Sequence, residues 1–279
     1  MEHRENFLNI DQIFRKKGKK IYPLIPKVLI RYLERITHQE ELNDALWRFR
    51  DFKNLDFVRE ILFNLFQVNL NVVGIENLPE KSRFIVVGNH PLGGLDGMAL
   101  MHVVGKLHPN IKSLSNDILL ELPNLREMFV PVNKHGSNSN DAVNALNEVF
   151  ESDQVVMVFP AGLVSRKQKG KIMDLEWKKT FISKATKNQR DVVPVHFTGR
   201  NSDFFYNLAL WRKRLGIKAN IEMLYLVDEM FKQKNKQITI TFGKPIPFTT
   251  FTREKSPREW AECVKQHVYG LPEGKLIFD

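Results

Sequence analysis

With 279 residues, 43% of them hydrophobic and 27% charged, the chain has the length and composition of a folded globular protein, one large domain or a main domain with an appendage, which excludes a disordered polypeptide. Its one cysteine, Cys263, excludes an internal disulfide, and no apolar run approaches the roughly 18 residues needed to cross a bilayer, Val155 to Val164 being the longest candidate. The excess of 42 Lys+Arg over 32 Asp+Glu gives a net charge of +10, which calls for an anionic partner: a lipid surface, an acidic carrier protein or nucleic acid.

The opening MEHRENFLNI lacks the apolar run of a signal peptide, and together with the lone cysteine it leads us to expect a cytoplasmic protein. Residues 1–70 read as a basic, amphipathic, helical segment. A cluster of Arg15, Lys16, Lys17, Lys19 and Lys20 precedes IYPLIPKVLIRYLERI, and Phe57, Val58, Ile61, Leu62, Leu65 and Phe66 then recur at helical spacing. Such a stripe beside basic residues suits a membrane interface, which we favour over packing on the main domain. Residues 71–279 alternate strands with helices. NVVGI, RFIVVGN, MFVPVN, QVVMVF, VVPVHF and ITITF read as strands; helices are expected after Asp96, across Ala142 to Phe150, over Trp177 to Lys187 and near Phe204 to Leu215. This predicts an α/β domain with a mostly buried mixed sheet flanked by helices.

The stretch FIVVGNHPLGGLDG, Phe84 to Gly97, carries the chemistry. An apolar strand there runs into a glycine turn that places His90 and Asp96 at a sheet rim. On one continuous helix six positions would separate them by roughly 240°, so a pair requires the turn at Pro91, Gly93 and Gly94 to fold back. Asp96 also suits the N-cap of a helix starting at Gly97, and Asn89 a strand-end cap. An aspartate in that place is usually just a cap, and a histidine after a strand is usually a satisfied polar residue. Three further windows end strands in turn residues. They are Phe129 to Gly136, with Asn133 and Lys134; Phe159 to Arg166, with Pro160, Gly162 and Ser165; and Val193 to His196.

As an ordered set these windows resemble the four motif blocks of the glycerolipid (lysophosphatidic acid type) acyltransferase family over about residues 75 to 250. His90 matches the family's general base. Asp96 matches its aspartate with one extra residue between them. Phe159, Pro160, Gly162 and Ser165 match the third block, and Val193, Pro194 and Val195 the fourth. The second-block arginine falls on Val132, the third-block glutamate on Ala161 and the third-block arginine on Val164. The family associates those arginines with the phosphate of the acyl acceptor, so their loss argues against a glycerol phosphate acceptor more than against acyl transfer. Lys134, Arg166 and Lys167 are close enough in sequence to replace them. The variant NHPLGGLD with FPAG is most similar to the hemolysin-like branch, which includes bacterial enzymes that O-acylate glycine or ornithine lipids.

What the resemblance implies is an acyl thioester, carried by acyl carrier protein or coenzyme A, as co-substrate without a further cofactor, and a membrane lyso-lipid as acceptor. His90 and Asp96 would be catalytic. Asn89, Gly93, Gly94, Asn133, Lys134, Phe159, Pro160, Gly162, Ser165 and Arg166 would bind substrate. The protein would sit peripherally on the inner face of the cell membrane. A neutral imidazole can take the acceptor's hydroxyl proton. Backbone N–H groups around Gly93, Gly94 or Gly162 suit the developing oxyanion. Cys263, in WAECVKQH, reads as a helix-face thiol rather than a nucleophile. No ligand spacing suggests a metal and no Walker or Rossmann fingerprint is present. Two alternatives remain: 1-acylglycerol-3-phosphate acylation, or a noncatalytic lipid-binding module. A nucleic-acid partner is disfavoured because no reading helix, zinc finger or aromatic platform is recognisable.

Overall fold

The computed structural model describes residues 7–17, 22–81, 83–115, 122–131 and 139–278. Among these, helices α1 (Ile10–Lys17), α2 (Lys27–Ile36), α3 (Gln39–Arg48) and α4 (Asn54–Glu60) lead through a π-helical turn, Ile61–Leu65, into the sheet. The sheet strands are β1 (Asn69–Val73), β2 (Phe84–Gly88), β3 (Ile111–Ser115), β4 (Phe129–Pro131), β5 (Val155–Val158), β8 (Asp191–Phe197) and β9 (Gln237–Phe242). Between β5 and β8 runs a small antiparallel hairpin, β6 (Arg166–Gln168) and β7 (Lys171–Met173). The other helices are α5 (Gly94–Gly105), α6 (Ser139–Glu151), α7 (Thr180–Asn188), α8 (Asp203–Arg214), α9 (Leu226–Phe231) and α10 (Pro257–Gly270).

Among the described residues the seven-stranded sheet has the order β1-β9-β8-β2-β5-β3-β4. Every pair is parallel except β8 with β9, so β1 and β9 run against the other five. Strand β2 reads FIVVG because it is central and covered on both faces. Phe84 and Val86 enter the core made with α4 and α5, while Ile85 and Val87 enter the one made with α6, α7 and α10. Arg190, fully buried, fastens the strands' N-terminal side by donating to the carbonyls of Phe150 (2.7 Å) and Gln154 (2.7 Å).

One expectation fails here. Phe57, Val58, Ile61, Leu62 and Phe66 are buried in the first core together with Ala45 and Phe49, so the aromatic stripe covers the sheet instead of meeting lipid. Burying a side chain of that size stabilises a fold by about 1.5–3 kcal/mol, and the sheet supplies the apolar partner at once. Of the basic cluster, Lys19 and Lys20 lie outside the described residues; the Arg15 side chain pairs with Asp11 at 2.9 Å.

Candidate active site

Strands β2, β5 and β8 are parallel neighbours, so their C-terminal ends meet at one edge, and the segments leaving them meet there too. Asn89 extends the β2–β8 ladder with its side chain. Its Nδ2 donates to the Phe197 carbonyl at 3.0 Å and its Oδ1 accepts the Phe197 N–H at 2.7 Å. The amide is thus committed to holding the next residue, His90, in place.

After His90 the chain reverses at Gly93, whose φ of 78° lies in the left-handed region, and α5 begins at Gly94. Asp96 is therefore the third residue of α5, and the expected N-cap of a helix starting at Gly97 is corrected: the cap position belongs to Gly93. From inside the first turn the Asp96 Oδ2 accepts the N–H groups of Leu92 (2.8 Å) and Gly93 (3.1 Å), as a capping carboxylate does. The same oxygen lies 3.1 Å from Nδ1 of His90. The extra residue between the two is absorbed by the glycine turn. The approach is close but poorly aligned, and neither His90 Nδ1 nor Asp96 Oδ1 has an aligned hydrogen-bond partner, a looseness common in sites without substrate.

The two groups sit in different surroundings. Asp96 is fully buried, and burial pushes its carboxyl above the ordinary carboxylate value, against the opposing pull of His90 and the two N–H groups. The His90 side chain keeps 19% of its surface exposed and stacks on the ring of Phe159, which leaves β5, with centroids 4.2 Å apart. A partly exposed imidazole, one nitrogen beside a buried carboxylate, can accept a proton on its other nitrogen.

Sequence reasoning did not single out Asp174. This buried carboxylate accepts the His90 N–H (3.2 Å) and the Ser165 hydroxyl (2.6 Å) on Oδ1, and the Trp177 indole N–H (2.9 Å) on Oδ2. The Ser165 N–H in turn donates to the His90 carbonyl at 2.8 Å. Both main-chain groups of His90 are therefore clamped by the 165–174 segment. The Asp174 N–H donates to the Tyr269 hydroxyl at 2.7 Å, and burial together with the Asp174 charge raises that phenol. The signal that could have revealed this residue is weak: an aspartate three before a tryptophan in a lysine-rich stretch.

The other expected residues divide. Pro160 and Gly162 shape the turn after Phe159, with the Gly162 N–H on the Phe159 carbonyl at 2.9 Å and the Pro160 carbonyl taking the Lys178 N–H at 3.0 Å. The Gly93 and Gly162 N–H groups are thus engaged. Gly94, at the first position of α5, carries an N–H with no intrahelical acceptor. Ser165 holds Asp174. Arg166, expected to contact a ligand, is buried and engaged inside the fold. Its guanidinium pairs with the buried Glu222 at 2.9 Å, donates to the Val164 carbonyl at 2.6 Å and lies over the Phe205 ring. Glu222 also pairs with Arg212, at 2.8 Å. Ala161 and Val164, where the resemblance expects glutamate and arginine, are both buried, Ala161 in the second core. Asn133 and Lys134, with Val132, lie outside the described residues.

The model of a family described as acyltransferase matches residues 12–275. A lyso-glycine lipid O-acyltransferase of Bacteroides thetaiotaomicron is 50% identical over 265 residues, covering 95% of this chain and 97% of that protein. A protein of the same name from Phocaeicola vulgatus is 48% identical, with 95% of each chain covered. The crystal structure of PlsC, the 1-acyl-sn-glycerophosphate (LPA) acyltransferase of Thermotoga maritima, is similar in fold, with a TM-score of 0.50 and 19% identity over 91% of this chain and 99% of that one.

Proposed function

The chain belongs to the acyltransferase family, and from that membership we propose that it transfers a fatty acyl group from an acyl thioester to the hydroxyl of a lyso-glycine lipid. The observation that carries this reading is the approach of His90 Nδ1 to Asp96 Oδ2 at the C-terminal edge of the sheet, in a chain about half identical to two proteins of that name along nearly their whole length.

In this mechanism His90 acts as general base. Its Nδ1 faces Asp96, so Nε2 takes the proton of the acceptor hydroxyl while that oxygen attacks the thioester carbonyl. A carbon–oxygen bond forms, the carbonyl oxygen becomes an oxyanion, and the uncommitted Gly94 N–H at the start of α5 is the proposed donor to it. Collapse breaks the carbon–sulfur bond. The leaving thiolate recovers the proton from His90, and the products are an ester and a free thiol. Asp96 holds the imidazole's tautomer and offsets its charge when protonated. No protein nucleophile is needed; Cys263 is half-buried on α10.

The acyl donor is proposed to be acyl carrier protein or coenzyme A, both anionic and both matched by a net charge of +10. The site is proposed to work at the inner face of the cell membrane, where the acceptor lipid resides. No helix among the described residues is long and apolar enough to cross a membrane. A glycerol phosphate acceptor is disfavoured because Arg166 is consumed by Glu222 and Val164 offers no donor.

The test is transfer by the purified protein from acyl carrier protein and coenzyme A thioesters, in parallel, to lyso-glycine lipid and to lysophosphatidate. Mass spectrometry should find acylated glycine lipid with one thiol released per ester formed. Thiol release without lipid acylation, or preferential acylation of lysophosphatidate, would overturn the assignment.

A further inference from the structure

Helix α8 is apolar on both sides. Phe205, Tyr206 and Ala209 face the core, as a surface helix requires. On the opposite side Phe204, Leu208, Trp211 and Leu215 fall at i, i+4, i+7 and i+11, an arc of about 60°, where a solvated helix would carry Lys, Glu or Gln. Phe204 is 50%, Trp211 63% and Leu215 74% exposed. Single exposed apolar residues need no explanation, but an aligned outward seam containing tryptophan does.

The seam continues onto a second helix. The Phe204 ring meets Tyr225 edge-on, with centroids 4.9 Å apart, and the Tyr225 hydroxyl shares a 2.7 Å hydrogen bond with that of Tyr32 on α2. One turn before Tyr32, Val28 is 77% exposed and Leu29 is exposed beside it. Around the seam stand Lys27, Arg31, Lys213, Arg214 and Lys218, all exposed and, among the described residues, without a carboxylate partner. Such a rim attracts an anionic surface and repels a second copy of itself. Placement supplies the remaining argument. Helix α8 leaves the C-terminal end of β8, and in that connection Gly199 lies so close to Leu92, in the His90 turn, that a β-carbon would come within 2.9 Å of it. The seam is therefore anchored beside the sheet edge that bears His90.

We propose that the outward seam of α8, continued by Val28 and Leu29 of α2, docks this protein on an anionic bilayer with its His90 edge toward the lipid. Its purpose rests on the acyl-transfer reading above, because an acceptor held in a membrane must be reached there. Interfacial tryptophan and a cationic rim are the features that such a contact uses.

The experiment is co-sedimentation of the full chain with vesicles of phosphatidylcholine containing one quarter phosphatidylglycerol, and with pure phosphatidylcholine. Wild type should bind the anionic vesicles at least tenfold more tightly. Trp211→Glu with Leu215→Glu should weaken that binding at least tenfold, with an unchanged circular dichroism spectrum. As a second measurement, tryptophan emission should shift to the blue on vesicle addition, and Trp211→Phe should remove the shift. Unchanged binding by the double variant, an emission shift that survives Trp211→Phe, or a wild-type dimer in solution that the double variant dissolves would overturn the proposal. Transfer to acceptor dispersed in detergent micelles reads the acyl-transfer assignment separately: its absence from wild type would refute that assignment and leave the docking result standing on the vesicle data.

Discussion

His90 and Asp174 meet through the main chain of one and the carboxylate of the other: the His90 N–H donates to Asp174 Oδ1 at 3.2 Å, while the imidazole itself turns to Asp96. Replacing Asp174 by Asn puts an N–H₂ against donors that it cannot accept from, the hydroxyl or main-chain N–H on one side or the Trp177 indole on the other. Loss of about 1–3 kcal/mol of stability is expected. Because the clamp orients the base, kcat should fall more than KM rises, on the order of tenfold or more. Trp177→Phe, which removes one partner and spares the His90 contact, should lower stability and leave kcat near wild type. Equal kcat losses in the two variants would assign Asp174 a purely structural role.

His90→Ala should lower turnover by about 10²- to 10⁴-fold, the range for loss of a general base. Its exposed edge and single stacking contact with Phe159 make the change mild for folding, so thermal unfolding should move little. Full turnover in this variant would remove His90 from the mechanism.

Asp96→Asn separates catalysis from stability. Asn retains an oxygen for the Leu92 and Gly93 N–H groups but cannot offset the charge of a protonated His90, so activity should drop on the order of 10²-fold or more. Burial raises the Asp96 carboxyl above its ordinary value of 3.8, so the folded state binds the proton more tightly than the unfolded one, and the contribution of this one group to stability falls as pH rises above 3.8. The variant does not titrate there. Measured by thermal unfolding across pH 4 to about 7, the stability of Asp96→Asn relative to wild type should increase with pH; a flat difference would contradict the assignment.

His196 carries the opposite sign. Burial lowers its imidazole from 6.5 to about 4, so below 6.5 the unfolded chain takes up a proton that the folded protein refuses. Stability should decline as pH falls from 6.5 toward 4, with His102, lowered to about 4 by burial, adding to it. His196→Phe should flatten part of that decline in unfolding curves.

Arg166→Met leaves Glu222 buried with Arg212 as its remaining cation. The expected cost is up to about 3–5 kcal/mol, the range for breaking a buried pair. At a temperature where the variant is folded, KM for the lipid acceptor should stay within about twofold of wild type, since the guanidinium is held inside the fold. A large rise in KM would return Arg166 to the substrate.

The central strands were legible because β2, β5 and β8 are buried on both faces and show unbroken apolar runs. Strand β3, IKSLS, carries little signal, since its alternate residues face less buried surroundings and include Lys and Ser. The hairpin β6–β7 escaped because a short basic ribbon has the composition of a loop. At the site, the His90–Asp96 meeting followed from a strand, a glycine turn and spacing, all local. The His90–Asp174 contact and the Arg166–Glu222 pair join residues far apart in the chain and leave no periodic signature. The Phe57 stripe had the right period, but period identifies an apolar face without naming what covers it.

Position 93 has a single permitted letter. Its backbone, at φ 78° and ψ −126°, is one that residues with a side chain scarcely adopt, and a β-carbon there would also stand 3.0 Å from Leu226. Trimming Leu226 would lift the second restriction and leave the first. Among descendants of this chain, therefore, whatever substrate they come to prefer, drift can rework the walls around the bend but not its pivot.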